Sequence, residues 1–245
     1  MAKSGRNAIV LDVPPPEEPF EGFSTKMISF LHGLKKNNNK AWFEDHRKDY
    51  ENELREPCKQ LVRSMASVFA LKKLPLIADE RRSLFRINRD IRFSKDKSPY
   101  KTHIGIVFPM KGSSENEWSG MYMFFEPSGS NDVKTGVGGG VYMPSPAYLK
   151  LLRERIADDL SAFKKVNTKA SFRKVYEEGI TGESLKRIPK GFDEEHPGAE
   201  YIKMKEFLFN SPLTKKDLLS SDLPKILTQR IEAGLPALEY FSMKR

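Results

Sequence analysis

The spacing of apolar residues changes twice along the chain, and those changes restrict the fold more than any other feature. From Met27 to Val68 apolar residues recur every three or four positions, the period of an amphipathic helix. From Phe85 to Met143 they fall in alternating runs, the period of strands. After Ser145 the helical spacing returns. Helices, a meander of closely spaced strands, then helices again predict an α+β fold, with helices packed against a mostly antiparallel sheet. The 245 residues include 16 Phe, 8 Tyr and 2 Trp, enough bulky material for one substantial core. We therefore read a single domain over 23–245, preceded by a flexible tail over 1–22 that carries Pro14, Pro15, Pro16 and Pro19 and has no signal-peptide core.

Local signals place the elements. Ser24 is read as the first N-cap, with Phe23 as its staple and Met27, Ile28, Leu31 and Leu34 as the stripe. Asn37, Asn38 and Asn39 form a loop and the next cap. Phe43, His46, Tyr50, Leu54, Leu61, Met65 and Val68 predict a long helix, kinked or restarted at Pro57. Strands are expected at 85–93, 103–108, 121–126 and 137–143. Ser145 and Pro146 open a helix carrying Leu149, Leu152, Ile156 and Leu160. Another helix is expected to end at Gly179, and a short apolar piece at 207–209 precedes helices starting near Thr214 and Asp222.

The formal charge of +9 is concentrated. From Glu80 to His103 eight Lys/Arg face three carboxylates, a net +5, and from Phe163 to Gly191 the same counts recur. The rest of the chain sums to 9 − 10 = −1. Clustered positive charge attracts phosphate groups, nucleic acid or acidic partners, although basic segments also serve as plain solvated surface. No apolar run approaches the roughly 20 residues that cross a bilayer, so no membrane partner is expected. One cysteine, Cys58, excludes an internal disulfide and suits a reducing, cytoplasmic or nuclear setting.

The first basic segment carries the candidate chemistry, Arg86 to His103: RINRDIRFSKDKSPYKTH. On a strand, Arg86, Asp90 and Arg92 project from one face about 7 Å apart per two residues. Arg89 falls on the apolar face, where a guanidinium needs a carboxylate or an anion to offset its desolvation. With Lys95, Lys97 and Lys101 these arginines form an expected anion pocket for phosphate or carboxylate. Asp90 and Asp96 are candidates to orient the arginines, hold a divalent cation or act as acid and base, and His103 is a candidate proton carrier. The competing reading is a ladder of ion pairs across the sheet. Gly136, Gly138, Gly139 and Gly140 match neither phosphate-loop pattern and are read as a bulge or a close backbone approach. The four histidines lack metal-ligand spacing, and the two tryptophans, Trp42 and Trp118, are read as packing residues before base-stacking ones.

The runs NNNKAWFEDHRKDY, RINRDIRFSKDKSPYKTH, GGGVYMPSP and LKRIPKGFDEEHP, in that order, resemble a family of conserved hypothetical proteins, domain-of-unknown-function family 2461. The resemblance extends from Phe23 to Phe241 and includes Asn38, Trp42, Arg86, Arg89, Asp90, Arg92, Asp96, Lys97, Tyr100 and His196. It implies no activity, cofactor or catalytic residue. It does imply that the second basic segment leads into a patterned loop, so that Asp193 and His196 join the arginine strand at one site. Two functional classes stay open: an enzyme acting on a phosphorylated compound or nucleic acid, and an RNA- or polyanion-binding module without chemistry. A structural protein whose Arg/Asp run locks the sheet is the third.

Overall fold

The computed structural model describes residues 19–113 and 119–242. Most of the tail and Trp118 lie outside the described residues. The tail's last residues do not: Phe20 is buried, its ring 5.2 Å from that of Phe23.

Local caps set the first helices. Ser24 Oγ accepts from Met27 N at 3.2 Å to open α1 (Thr25–Lys36), which buries Met27, Ile28, Leu31 and Leu34. Asn39 Oδ1 accepts from Trp42 N at 3.0 Å to open α2 (Lys40–Asp45). The expected long helix is broken into α3 (Arg47–Asp49), a π-helical segment (Tyr50–Arg55) and α4 (Glu56–Leu71). Pro57 supplies the reason. Its ring crowds the carbonyl four residues back and it donates no hydrogen bond. The preceding turn widens, and Glu56 N reaches Glu51 O, five residues back.

After α5 (Glu80–Ser83) the strand expected at 85–93 does not form. Only Ile87 sinks into the core, while Phe85 is 57% and Phe93 95% exposed. In its place two segments run side by side as a narrow ribbon. Single bridges join Leu84 to Ile106 and Asn88 to Tyr100, with Arg89 N to Pro99 O at 2.9 Å and Lys101 N to Ile87 O at 2.8 Å. Beyond Arg89 the side chains fold back on the local backbone: Asp90 Oδ1 accepts from Arg92 N, Asp96 Oδ1 from Ser98 N, and Lys97 Nζ donates to Ile91 O. Such local bonds curl the chain away from extended pairing.

The sheet follows sequence order: β1 (Ile104–Pro109), β2 (Gly120–Ser128), β3 (Asp132–Val141) and β4 (Phe207–Leu213), all antiparallel. The short piece expected at 207–209 is thus the start of a fourth strand. Met121, Met123 and Phe125 point inward and are fully buried, with α1 packed on β2 and α11 (Leu223–Phe241) on β3. The glycines of β3 are where β4 comes close. A Cβ on Gly138 would lie 2.3 Å from Phe209 O, and on Gly140, at φ +126°, 2.0 Å from Phe207 O.

Ser145 caps α6 (Pro146–Asp158), and Asp159 separates it from α7 (Leu160–Asn167). The helix expected to end at Gly179 stops earlier, as α8 (Ala170–Arg173), and turns continue to Gly179. Then come α9 (Ala199–Ile202) and α10 (Lys215–Leu218), the latter closed by a Thr214–Asp217 capping box. One buried cluster joins helices and sheet, so the fold is α+β. No described helix is long and apolar enough to cross a membrane.

Candidate functional site

The widened turn and the ribbon face each other across a cleft of about 910 Å³. Phe43, Tyr50 and Leu54 line one wall, and Arg86, Ile87 and Tyr100 the other. A π-helical turn occurs often at functional sites because it displaces side chains from the regular helical rows. Here it sets Tyr50, Glu51, Leu54 and Arg55 along the cleft. Tyr100 is fixed by stacking on Phe43, with ring centroids 4.0 Å apart at 16°. It is also clamped by Asn38, whose Nδ2 donates to Tyr100 O and whose Oδ1 accepts from Tyr100 N, both at 3.0 Å.

Lys40, Arg47, Arg55, Lys59, Arg81 and Arg86 surround this cleft against Glu44, Glu51 and Glu80. Arg47 holds Glu44 at 2.7 Å through two bonds, Arg55 holds Glu51 at 3.0 Å, and Lys59 holds Glu56 at 3.1 Å. Glu80 is held by Arg63 at 2.7 Å. Lys40, Arg81 and Arg86 form no ion pair among the described residues, although Lys40 and Arg86, after the hydrogen bonds from Arg47 and Arg92, act at longer range on Glu44 and Asp90 and lower their pKa values. Cys58 lies at the cleft floor, buried, and burial pushes its thiol far up.

Of the residues singled out from sequence, Arg86 lines the cleft. Lys101 is its neighbour: burial, and then the charge of Arg86, lower the lysine pKa, and Nζ sits 5.4 Å from the Phe85 ring centroid. The other arginines are engaged within their own loop. Arg92 grips Asp90 at 2.9 and 2.7 Å, and Arg89 Nη1 donates to Asp96. Arg92 accordingly lowers the Asp90 pKa, while Ser98 and then Arg89 hold the Asp96 carboxyl well below the usual carboxylate range. Lys95 is exposed. His196 sits elsewhere, with Nε2 3.2 Å from Ala157 O at the end of α6 and Nδ1 accepting from Gly198 N at 3.0 Å. The structure does not bring His196, Asp90, Arg92 and Lys97 into the cleft that Arg86 lines.

His103 has partners that the sequence reading missed. Its Nε2 is 2.5 Å from Tyr122 Oη, and its Nδ1 is 3.1 Å from Glu126 Oε2. Burial, then Glu126 and Tyr142, push the Tyr122 hydroxyl up to about 12. Tyr122 is therefore protonated at neutral pH, and its hydroxyl and the Glu126 carboxylate hold the imidazole from either side. The signal was present in the alternation of 121–126, which puts Tyr122, Phe124 and Glu126 on one face. Among the described residues no group of three or more His, Cys, Asp or Glu forms a metal-ligand set.

A helix-covered antiparallel sheet with a basic ribbon at its edge defines an α+β protein with a cationic, aromatic-walled cleft. The chain belongs to the conserved hypothetical protein family DUF2461, which matches residues 26–240. No curated protein and no solved structure matches it.

Proposed function

We propose that the chain binds a small anion, with phosphate or carboxylate oxygens on Arg86 and Lys101 and an apolar or ring-bearing body against Phe43, Tyr50 and Tyr100. The observation that carries this reading is the pairing of Arg86 and Lys101, two neighbouring cations, neither of which forms an ion pair among the described residues, the charge of Arg86 reaching Asp90 only at longer range. Like charges held together repel, and a bound anion reverses the sign of that interaction. Arg89 and Arg92 favour the ion-pair reading for the ribbon tip, since each already holds a carboxylate. A cytoplasmic setting accords with the single, buried thiol.

Thermal denaturation against inorganic phosphate, nucleotides and small carboxylates tests the reading. A ligand at a hundred times its Kd stabilises the fold by about 2.7 kcal/mol and raises Tm. Arg86→Ala and Lys101→Met should abolish that shift with little change in the unliganded Tm, Arg86 being exposed. Unchanged affinity in both variants would sink the proposal.

A further inference from the structure

The second face of the sheet has a separate use. Helices α1 and α11 cover the face that carries Met121, Met123 and Phe125. The opposite face carries Tyr122, Phe124 and Glu126, all half-buried.

Its rings are tiled. His103, Tyr122 and Phe124 are parallel within 20°, with centroids 5.3 Å (His103–Phe124), 6.2 Å (His103–Tyr122) and 6.2 Å (Tyr122–Phe124) apart. Three parallel rings at near-equal mutual distances are not a column. By contrast, Trp42 and His46, a face-to-face pair, are 3.9 Å apart at 13°. The bond between His103 Nε2 and Tyr122 Oη joins those two rings edge to edge, and Glu126 anchors the imidazole on its other side.

The tile lies on glycine. A Cβ on Gly105 would meet the Tyr122 ring at 2.6 Å, and one on Gly136 the Phe124 ring at 3.0 Å. The planar carboxamide of Asn210 lies over Gly138 in the same manner, its Oδ1 2.2 Å from the Cβ position. Missing side chains on neighbouring strands thus let flat groups lie down across the sheet, each with one face on the backbone and the other turned outward.

We propose that this face is a stacking platform for the bases of single-stranded nucleic acid. Every base has a π-face, and stacking on protein aromatics needs no sequence match. Rings on the open face of a four-stranded antiparallel sheet are a proven geometry for it. Charge selects this occupant over an apolar protein partner. His103 ends the +5 segment, and the chain carries +9. Lys101 and Lys95, within eight residues of His103, hold no carboxylate among the described residues, and Lys134 stands on the tile's own face beside Glu126 at 3.9 Å. Cations beside a flat aromatic surface match a phosphate backbone with splayed bases. This surface shares Lys101 with the cleft reading but is carried by its rings, so the leucine variants test it separately from Arg86→Ala.

The test uses the full chain and a fluorescein-labelled 12-nucleotide single strand of mixed sequence, as DNA and as RNA, read by fluorescence anisotropy. The same sequence as a duplex and inorganic polyphosphate serve as competitors. The single strand should bind more tightly than the duplex, with affinity falling steeply as salt rises. Phe124→Leu and Tyr122→Leu keep the glycines covered but remove the π-faces, and should weaken binding about five- to a hundred-fold each. Polyphosphate or duplex competing as well as the single strand, or leucine variants binding like the parent, would overturn the proposal. Photo-crosslinking of the parent chain to oligo-thymidine gives a readout that needs no variant to fold. Adducts at Tyr122, Phe124 or His103 are expected, and adducts confined to other segments would refute the platform.

Discussion

Asn38 fastens the ribbon to the helical layer, and its removal has a calculable cost. The ribbon's own bonds come from Arg89 N and Lys101 N on either side of Tyr100. The Tyr100 amide and carbonyl therefore point away from the ribbon, and the Asn38 carboxamide meets both at 3.0 Å. Asn38→Ala strips two bonds from a residue only 6% exposed. At about 0.5–1.5 kcal/mol net for each bond, the loss is about 1–3 kcal/mol. A chain of this size loses about 2–4 °C in Tm per kcal/mol, so a drop of about 2–12 °C is expected by calorimetry. Asn38→Asp is the sharper variant: a carboxylate still accepts from Tyr100 N but sets an oxygen against Tyr100 O. It should lose at least as much as Ala at neutral pH, and hydrogen exchange at the Tyr100 amide should quicken in the Ala variant. A stability change under about 0.5 kcal/mol in Ala, or an Asp variant as stable as the parent, would show that the clamp is incidental.

Two further outcomes follow from the geometry. The Tyr122 hydroxyl is raised to about 12 by burial and then by Glu126, so Tyr122→Phe should remove a phenolate absorbance step near pH 12. Because the folded value is the higher one, its stabilising contribution is complete below the ordinary value of about 10 and disappears as pH rises through 12. Loss of a step near pH 10 would contradict this. Gly140→Ala combines φ +126° with a Cβ 2.0 Å from Phe207 O, and should cost about 2–6 kcal/mol as backbone strain plus overpacking. Gly191→Ala, at φ +95° with open space around it, should cost only about 1–3 kcal/mol, and equal losses in calorimetry would count against the close-approach argument.

What the sequence made legible was local. Ser24, Asn39, Ser145 and Thr214 cap helices within three residues of themselves, so the signal and the bond lie in one short stretch. Of the two readings of the β3 glycines, a bulge or a close backbone approach, the structure shows the close approach, because absent side chains leave a mark in the sequence. The strand at 85–93 failed for a non-local reason. Alternation reports which side chains share a face, not whether a neighbouring backbone exists to pair with. Beyond Arg89 the chain satisfies itself through Asp90 and Asp96. Pro57 announced a break but not its form, since a kink, a restart and a widened turn all answer the same missing donor. The cleft was invisible because its walls, Tyr50 and Arg86, meet only in the folded chain.

The glycines that let β4 and the flat groups come close also bear on how the chain emerges during synthesis. β1, β2 and β3 follow one another directly, but β3 waits through residues 142–206 for β4. Throughout that interval β3 is the outer edge of an unfinished sheet, the kind of edge that recruits strands from other molecules. β3 carries the β-branched Val133, Thr135, Val137 and Val141, but Gly136, Gly138, Gly139 and Gly140 lower its strand preference and its side-chain adhesion. The strand is a poorer template until its proper partner arrives, and closing the long loop to β4 adds an entropic cost to that pairing.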